Sequence, residues 1–532
     1  MKYPRGSESG FTMITTVLAM SLVMTLAAVA VTAVRSDTNL TRYDLKRKQA
    51  YEAAKAGVED YAFHLTANNK YWESCTNVPT PNAVNLQGST AKTRPVPGNT
   101  GATYAIELLP AASQTTYTQC STSNPAASML ELSGGSGSFR IRSTGFAGKS
   151  KASIVASFKR PSFLDYVYFT QYETSDPVTY AGGTTWEDDA YTQCEKTMGQ
   201  GRYKSSIPNS GGQYCNVISF IANEKIRGPL HTNDSIFICG NPTFGRTSAD
   251  LIELGGIAPG WYWGASSALG NGALDSDDCS AANPTFVGSR KPEQIPLDPP
   301  STNTELANTA GLKYTGTVQL TIKGTTIEAC KEVISPSPGC SPLASSSVPA
   351  NGVIYVANGT GCTQKYDPFK ITYKPSTENI GCGNVYVKGE YTGQLTIGAA
   401  RDIIINGELD HPSSNENALL GLIANNFVRI YHPCSNETEV RLVDLKVQAA
   451  ILAINHSFIV DHYNCGNPLG SLNITGAIAQ KFRGPVGLFN GSTTTRGYSK
   501  NYEYDDRLRY VEPPSFLDPV AKSWIIGRET IG

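Results

Sequence analysis

The longest apolar run of the chain lies near its N-terminus and covers residues 11–34. Its 24 residues carry no charge, and a run of this length is enough to span a bilayer as a helix. Apolar positions continue beyond the run at helical spacing, and no proline interrupts them. The pattern predicts one helix over 11–66, roughly 80 Å long. Its first half is apolar on every face and its second half is amphipathic.

Short apolar stretches separated by Gly and Ser turns follow the helix and indicate strands. They lie at 103–108, 129–132, 138–142 and 152–158. Four strands packed against the amphipathic half of the helix predict a small β-sheet head over 67–160.

An internal repeat characterises the C-terminal part of the chain. Residues 422–430 combine an apolar strand, a polar corner and a second apolar strand, and the pattern recurs at 451–460 and more weakly at 476–486. A period of about 27 to 30 residues is typical of one coil of a right-handed parallel β-solenoid. We therefore predict a β-solenoid-like domain over 311–532, with a β-sandwich as the alternative fold.

Two further segments have weaker patterns. Residues 161–310 are rich in Gly, Asn and Pro and contain four cysteines, which favours a cysteine-containing linker or insertion. Residues 497–519 are polar and aromatic, and we expect them to cover the last coil, because an exposed coil end would template aggregation. Taken together, the predicted helix and strands indicate an α+β fold that is mostly β.

Composition narrows the classes of function. The chain has 44 basic and 45 acidic residues, so it lacks the basic excess expected of a nucleic-acid-binding protein. Hydrophobic residues make up 40 %, which is enough to build a core. Only 17 % of the residues are charged, as is common in extracellular β proteins.

The chain has twelve cysteines, and none of them forms a C-x-x-C pair. This spacing favours exported disulfides over a metal site and indicates an oxidising compartment. Sequence does not determine the connectivity, but sequential pairing would close short loops. The pairs would be Cys75–Cys120, Cys194–Cys215, Cys239–Cys279, Cys330–Cys340, Cys362–Cys382 and Cys434–Cys465.

The N-terminal segment SGFTMITTVLAMSLVMTLAAVAV resembles the signal of type IV pilins and type II secretion pseudopilins. The segment RKQAYEAAKAGVEDYAFHL, residues 47–65, is similar to the helix of larger minor pilins. The resemblance implies a leader over 1–10, which a prepilin peptidase cuts between Gly10 and Phe11, and methylation of Phe11. It also implies a single pass through the cytoplasmic membrane, then assembly with other pilins into a pilus at the cell surface. A plain signal-anchor helix is the alternative.

Thr15 departs from the family pattern. It would be the fifth residue of the mature chain, where major pilins have a glutamate that neutralises the terminal amine of a neighbouring subunit. A charge left unpaired in an apolar filament core costs several kcal/mol, so the pairing is a strong determinant of assembly. The threonine therefore indicates a minor pilin, present in few copies at the filament tip, rather than a shaft subunit.

Motifs for catalysis and metal binding are scarce. The chain has no H-E-x-x-H, P-loop, G-x-S-x-G or Rossmann fingerprint, and we expect neither an enzyme nor a cofactor. Asp275, Asp277 and Asp278 are a weak calcium candidate because they lack the glycine and distal glutamate of an EF-hand. A group formed by His231, Asn233 and Asp234 is interpreted as a turn with side-chain-to-backbone hydrogen bonds.

Three functions remain open for the large body. The first is adhesion through recognition of a surface or glycan ligand. The second is a structural role, as an assembly-priming minor pilin or a secretion pseudopilin. The third is polysaccharide degradation, which would need acidic residues that converge on one solenoid face. The candidate acids show no such pattern; they are Asp402, Glu408, Asp410, Asp444 and Asp461.

Overall fold

A computed structural model of the chain divides it into two compact units, which are described separately. The first consists of Met1–Leu132, Gly137–Lys159 and Ser523–Gly532, and the second of Ser133–Ser136 and Arg160–Lys522. The structure describes residues 11–68, 71–73, 93–98, 101–110, 128–129, 138–159, 162–202, 206–263, 282–292, 296–331, 341–363, 365–369, 381–413, 415, 417–434, 441–490, 493–509, 511–520 and 524–531.

Helices are few within these residues, and strands dominate. The α-helices are α1 (Phe11–Ala67), α2 (Val178–Ala181), α3 (Glu187–Cys194) and α4 (Thr304–Thr309). Short 3-10 helices occur at Tyr71–Glu73, Phe163–Asp165, Met198–Gln200 and Asp506–Arg509. The strands are β1 (Arg94–Pro95), β2 (Thr103–Leu109), β3 (Ser138–Ala147), β4 (Ser150–Lys159), β5 (Tyr168–Ser175), β6 (Ser219–Phe220), β7 (Lys225–Arg227), β8 (Leu230–Thr232), β9 (Ile236–Ile238), β10 (Thr243–Phe244), β11 (Leu251–Leu254), β12 (Trp261–Tyr262), β13 (Thr285–Phe286), β14 (Ser289–Pro292), β15 (Leu312–Thr315), β16 (Val318–Gly324), β17 (Thr326–Lys331), β18 (Ser341–Pro342), β19 (Ser346–Ser347), β20 (Val353–Ala357), β21 (Val385–Tyr391), β22 (Gln394–Ala399), β23 (Ile403–Asp410), β24 (Leu419–Ala424), β25 (Val428–Ile430), β26 (Lys446–Ala453), β27 (Phe458–Val460), β28 (Pro468–Arg483), β29 (Gly487–Asn490), β30 (Thr493–Tyr504) and β31 (Ile525–Ile531). The mostly β prediction with a long N-terminal helix is therefore confirmed in its coarse form.

The first unit, called the head unit, is built on α1. The helix has 57 residues and extends for about 85 Å, close to the predicted 11–66. Its second half buries one stripe against the head sheet, at Ala50, Ala53, Ala54, Gly57, Val58, Tyr61 and Leu65. These positions recur at helical spacing and are mostly small, so helix and sheet backbones approach closely. At Gly145 of β3, an added Cβ would lie 2.0 Å from the carbonyl oxygen of Ala50.

The head sheet is antiparallel and has the order β1-β2-β3-β4-β31. Its last strand comes from the C-terminus of the chain, where Ile525 pairs with Lys159. This differs from the predicted head, which ended near residue 160. Residues 130–132 of the strand predicted at 129–132 lie outside the described residues, and Met129 is not in a strand. The second unit is thus an insertion between two neighbouring strands of the head sheet.

The second unit, called the body, is organised by long parallel ladders. One ladder runs β15-β20-β22-β24-β26-β28-β5-β8-β11-β14. A second runs β16-β21-β23-β26-β28-β30-β7-β10-β13. Shorter parallel ladders join β23-β25-β27 and β6-β9-β12. Among the described strands of the body, the antiparallel pairs are β16–β17, β17–β18, β17–β19 and β29–β30, and one isolated antiparallel bridge joins Thr174 to Val217.

The copies of the internal repeat stack on one another in the first ladder. Leu422 pairs with Ile451, and Ile451 pairs with Ile478, all in parallel register. All three side chains are fully buried. Burying a Leu or Ile side chain contributes about 1.5–3 kcal/mol, so the repeat builds a continuous core from one copy to the next.

The strand pairings of the body contradict two predicted segment assignments, at 497–519 and at 161–310. β28 pairs with β5, so the last repeat stacks on the first strand of the body, and β30 is itself a ladder strand between β28 and β7. The predicted cover at 497–519 is therefore wrong for residues 497–504. Residues 161–310 are not a linker, because β5–β14 continue the same ladders. Many of these strands have only two to four residues, too few to show a period of two.

Disulfides join segments of the body that lie outside its strands. The structure pairs Cys194 with Cys215, Cys362 with Cys382 and Cys434 with Cys465, as sequential pairing does. Their sequence separations of 21, 20 and 31 residues correspond to about 3 kcal/mol each in the chain-entropy account. Cys239 and Cys330 are also disulfide-bonded. The remaining predicted cysteines, Cys75, Cys120, Cys279 and Cys340, lie outside the described residues.

Candidate functional site

The first half of α1 is an apolar surface that nothing in the head unit covers. The segment Met13–Thr32 has 20 residues, a mean hydropathy of 2.3 and no buried share. At about 1.5 Å per residue it covers roughly 30 Å, the thickness of the hydrocarbon core of a bilayer. Within the described residues it is the one helix long and apolar enough to cross a membrane.

Hydroxyl side chains in this segment are compatible with a medium that lacks water. Thr16, Ser21, Thr25 and Thr32 each donate a hydrogen bond to the carbonyl three residues earlier, at 2.8–3.0 Å. A hydroxyl satisfied within its own helix leaves no polar hydrogen unpaired in lipid or in an apolar bundle. The four polar residues therefore do not argue against a membrane or filament environment.

The residues implied by the pilin resemblance lie at the start of α1. Gly10 is outside the described residues, and α1 is described from Phe11, whose side chain is not. Thr15 is exposed on the apolar segment, and the first turn of the helix carries no acidic residue.

Asn233 and Asp234 form a buried bend with side-chain-to-backbone hydrogen bonds, which confirms the interpretation for these two residues, whereas His231 lies in β8 and contacts other side chains. Asp234 accepts hydrogen bonds from the backbone N–H groups of Glu173, Met198 and Ser235 at 2.8–2.9 Å. Asn233 exchanges two hydrogen bonds with the backbone of Leu297, and His231 lies 3.0 Å from Glu253. The three side chains thus hold loops of the body together.

Buried ion pairs lie where the two ends of the body's chain meet. Arg483 Nη1 lies 3.0 Å from Glu173 Oε2, and Lys500 Nζ lies 2.5 Å from Glu224 Oε1. Both cations face the ring of Phe220, at 3.6 and 5.7 Å from its centroid. Burial tends to lower the pKa of Arg483, but Tyr168 and the Glu173 and Glu224 carboxylates raise it overall. The pairs bridge residues 310 and 276 positions apart in sequence, which sequence patterns do not reveal.

Two of the candidate acids converge, but on a buried arginine rather than in an open groove. Arg429 Nε lies 3.4 Å from Asp402, and its Nη1 lies 3.8 Å from Asp461. Burial acts to lower the pKa of Arg429, and the two carboxylates more than offset it and hold the pKa above its usual value. Asp402 is 7 % exposed and Asp461 is fully buried, so both serve the interior of the body.

The candidate metal-binding residues do not assemble a site in the described part of the chain. No group of three or more His, Cys, Asp or Glu side chains with metal-binding geometry occurs there. His456 and His462 are six residues apart in sequence but have different partners: His456 contacts Asp176 at 2.7 Å, and His462 contacts the carbonyl of His432 at 3.1 Å. Asp275, Asp277 and Asp278 lie outside the described residues.

A polar pocket opens on the body between β5, the 3-10 helix at Met198–Gln200 and the segment 296–298. Gln171, Tyr172, Gln200, Asn233 and Asp298 contribute its polar side chains. The sequence analysis missed this pocket, because these residues come from four distant segments and none carries a local motif.

Comparison with known proteins adds little. No known family model matches the chain, and no curated protein matches it. Among solved structures, the competence-associated pilin ComZ from Thermus thermophilus is similar to this chain. The two are 12 % identical, the match covers 91 % of this chain and 98 % of ComZ, and the TM-score is 0.32. A likeness this distant carries no inference about function.

Proposed function

We propose that this protein is a minor subunit of a type IV pilus or related filament, with a body that recognises a surface ligand. The observation that carries the proposal is α1, one unbroken helix with two different surfaces. Its first half exposes about 30 Å of apolar surface, and its second half packs into the head core. Such a helix anchors the chain in the cytoplasmic membrane before assembly and packs among other pilin helices afterwards.

A plain membrane anchor explains α1 less well. An anchor needs only a spanning segment, and a flexible linker is sufficient to connect it to an exported domain. Here the same helix continues into the head and buries seven positions there, so the apolar half projects rigidly from a folded unit. Rigid projection suits side-by-side packing of helices from several subunits. The proposal includes cleavage by prepilin peptidase between Gly10 and Phe11 and methylation of Phe11.

Thr15 supports a low copy number and a place at the tip. A subunit in the shaft has neighbours on both sides along the filament, and each interface benefits from a carboxylate that pairs with a neighbour's terminal amine. Thr15 supplies no carboxylate. A subunit at the tip needs fewer such pairings, and a body of more than 350 residues is easier to place there.

The parallel ladders favour a right-handed β-solenoid as the fold of the body. A β-sandwich packs antiparallel sheets, whereas successive coils here pair in parallel through two long ladders. A solenoid presents long lateral surfaces to the outside. We assign these surfaces a binding role rather than a catalytic one.

Assembly priming is the second candidate, because the head unit forms a complete sheet without the body. The pairing of Lys159 with Ile525 suggests a test. Deletion of residues 161–522 connects β4 to β31 by a short turn. Because these two strands already pair in the head sheet, the deletion should leave the head intact. We expect filaments to persist by electron microscopy and surface adherence to be lost.

The same deletion extended to residue 532 is the control, since it also removes β31 and should destabilise the head. If the shorter deletion abolishes filaments while the truncated protein is stable in the membrane, the body takes part in priming and the recognition proposal is wrong.

A further inference from the structure

The polar pocket of the body has the size of a small-ligand site. Its volume is about 420 Å³, within the range of about 300–1,000 Å³ found for such sites. It is open to solvent, and its lining includes Asn233, which is 7 % exposed. A ligand can therefore enter from solvent and meet buried polar groups.

The side chains of the pocket are held in place by the protein. Asp298 is fixed through its backbone carbonyl, which accepts from the N–H of Val520 at 2.8 Å, and through Oδ1, which accepts from Gln171 Nε2 at 2.9 Å. Gln200 Oε1 accepts from the N–H of Thr197 at 3.0 Å. A ligand that binds these groups pays little for ordering them.

The polar side chains of the pocket still have unused hydrogen-bonding capacity. Among the described residues, no protein hydrogen bond engages Asp298 Oδ2, Gln171 Oε1, Gln200 Nε2 or the Tyr172 hydroxyl. The set contains strong acceptors, an amide donor and a phenol that can donate or accept. It therefore suits a ligand that presents several hydroxyl groups close together.

Charge limits the class of ligand. None of the described lining residues is basic, and Asp298 is acidic, so the pocket disfavours phosphate, sulfate and carboxylate ligands. Burial, with the nearby carboxylates of Glu195 and Asp298, raises the pKa of Tyr172 to about 12. One carboxylate is too few for a dedicated calcium site.

We infer that this pocket binds a neutral pyranose sugar, with Asp298 and Gln171 on adjacent hydroxyls and Tyr172 as a further hydrogen-bond donor. The Tyr172 ring is supported by Phe482, with ring centroids 5.5 Å apart. The inference builds on the proposed function in that it assigns a ligand class to the recognition body.

Saturation-transfer NMR on the purified full-length protein tests the inference. The protein is held in a detergent without a sugar headgroup and in EDTA, and the probes are the methyl pyranosides of glucose, galactose, mannose and N-acetylglucosamine. We expect transfer to at least one of them. Asp298→Asn should weaken its binding by about tenfold or more, because a charged hydrogen bond is lost, and Tyr172→Phe should weaken it less. Asp188→Asn, the same change at an exposed position on α3, should have no effect.

Three results would overturn the inference: no transfer to any probe, equal transfer in wild type and Asp298→Asn, or stronger binding of methyl glucuronide than of every neutral probe. Thermal unfolding of each variant checks that the body is intact, and Tyr172→Phe provides a second variant that keeps the ring.

The sugar-binding measurement does not require an assembled filament. Failure to assemble would contradict the proposed function and leave the sugar site standing, and absence of sugar binding would leave assembly untouched.

Discussion

Arg483→Leu is expected to destabilise the body by about 3–5 kcal/mol, because it leaves the Glu173 carboxylate buried without its cation. Arg483 is 1 % exposed, and its guanidinium also donates to the carbonyls of Ile218 and Ser219 at 2.7 and 3.2 Å. The substitution therefore removes an ion pair and two further hydrogen bonds from the place where β28 meets β5. Denaturant unfolding of the full-length protein measures the loss.

An exposed ion pair provides the matched control. Arg227 lies 2.8 Å from Glu503, and the two side chains are 48 % and 36 % exposed. Arg227→Leu removes the same charge from neighbouring ladder strands, but it should cost less than about 1 kcal/mol because solvent screens the pair. Equal losses for the two variants would show that the buried pair does not hold the ends of the body together.

Val23→Asp should remove the protein from both membrane and filament. Val23 is 64 % exposed near the middle of the apolar segment. An aspartate at that depth costs about 2.5–3.5 kcal/mol of membrane insertion, and a helix bundle offers it no counter-charge. Membrane fractionation and immunoblotting of sheared filaments report the two effects.

Val443→Asp makes the same substitution at a valine of the body with similar exposure, 59 %. It should change neither membrane association nor filament content. Retention of the Val23→Asp protein in sheared filaments would contradict the role assigned to the apolar half of α1.

Sequence patterns predicted the elements whose structure depends mainly on residues close together in the chain. An uncharged run of 24 residues allows few structures besides a helix, and α1 follows the prediction within one residue. The repeat was equally informative, because aligned apolar positions such as Leu422 and Ile451 become neighbours in parallel register.

The features that were missed depend on residues far apart in the chain. β31 completes the head sheet from the C-terminus, and β5 receives the last repeat although some 300 residues separate them. A strand's own sequence does not specify a distant partner. The polar pocket was missed for the same reason, because Gln171 and Asp298 form a hydrogen bond although 127 positions separate them in the chain.

The two corrected boundaries also have a physical cause. Strands of two to four residues, as in β6–β14, are too short to show an alternation of buried and exposed positions that a sequence pattern can reveal. The aromatic residues at 498–504 were interpreted as a cover, but Tyr498, Tyr502 and Tyr504 are each 2 % exposed and belong to the core.

The central claim is that this chain enters a filament in few copies and near its end. Immunogold electron microscopy with an antibody against the body tests it most directly, on cells that express the full-length protein. The account predicts gold particles at filament ends, with labelling lost in the Val23→Asp strain. Regular labelling along the shaft, or label on the cell envelope with none on filaments, would contradict it.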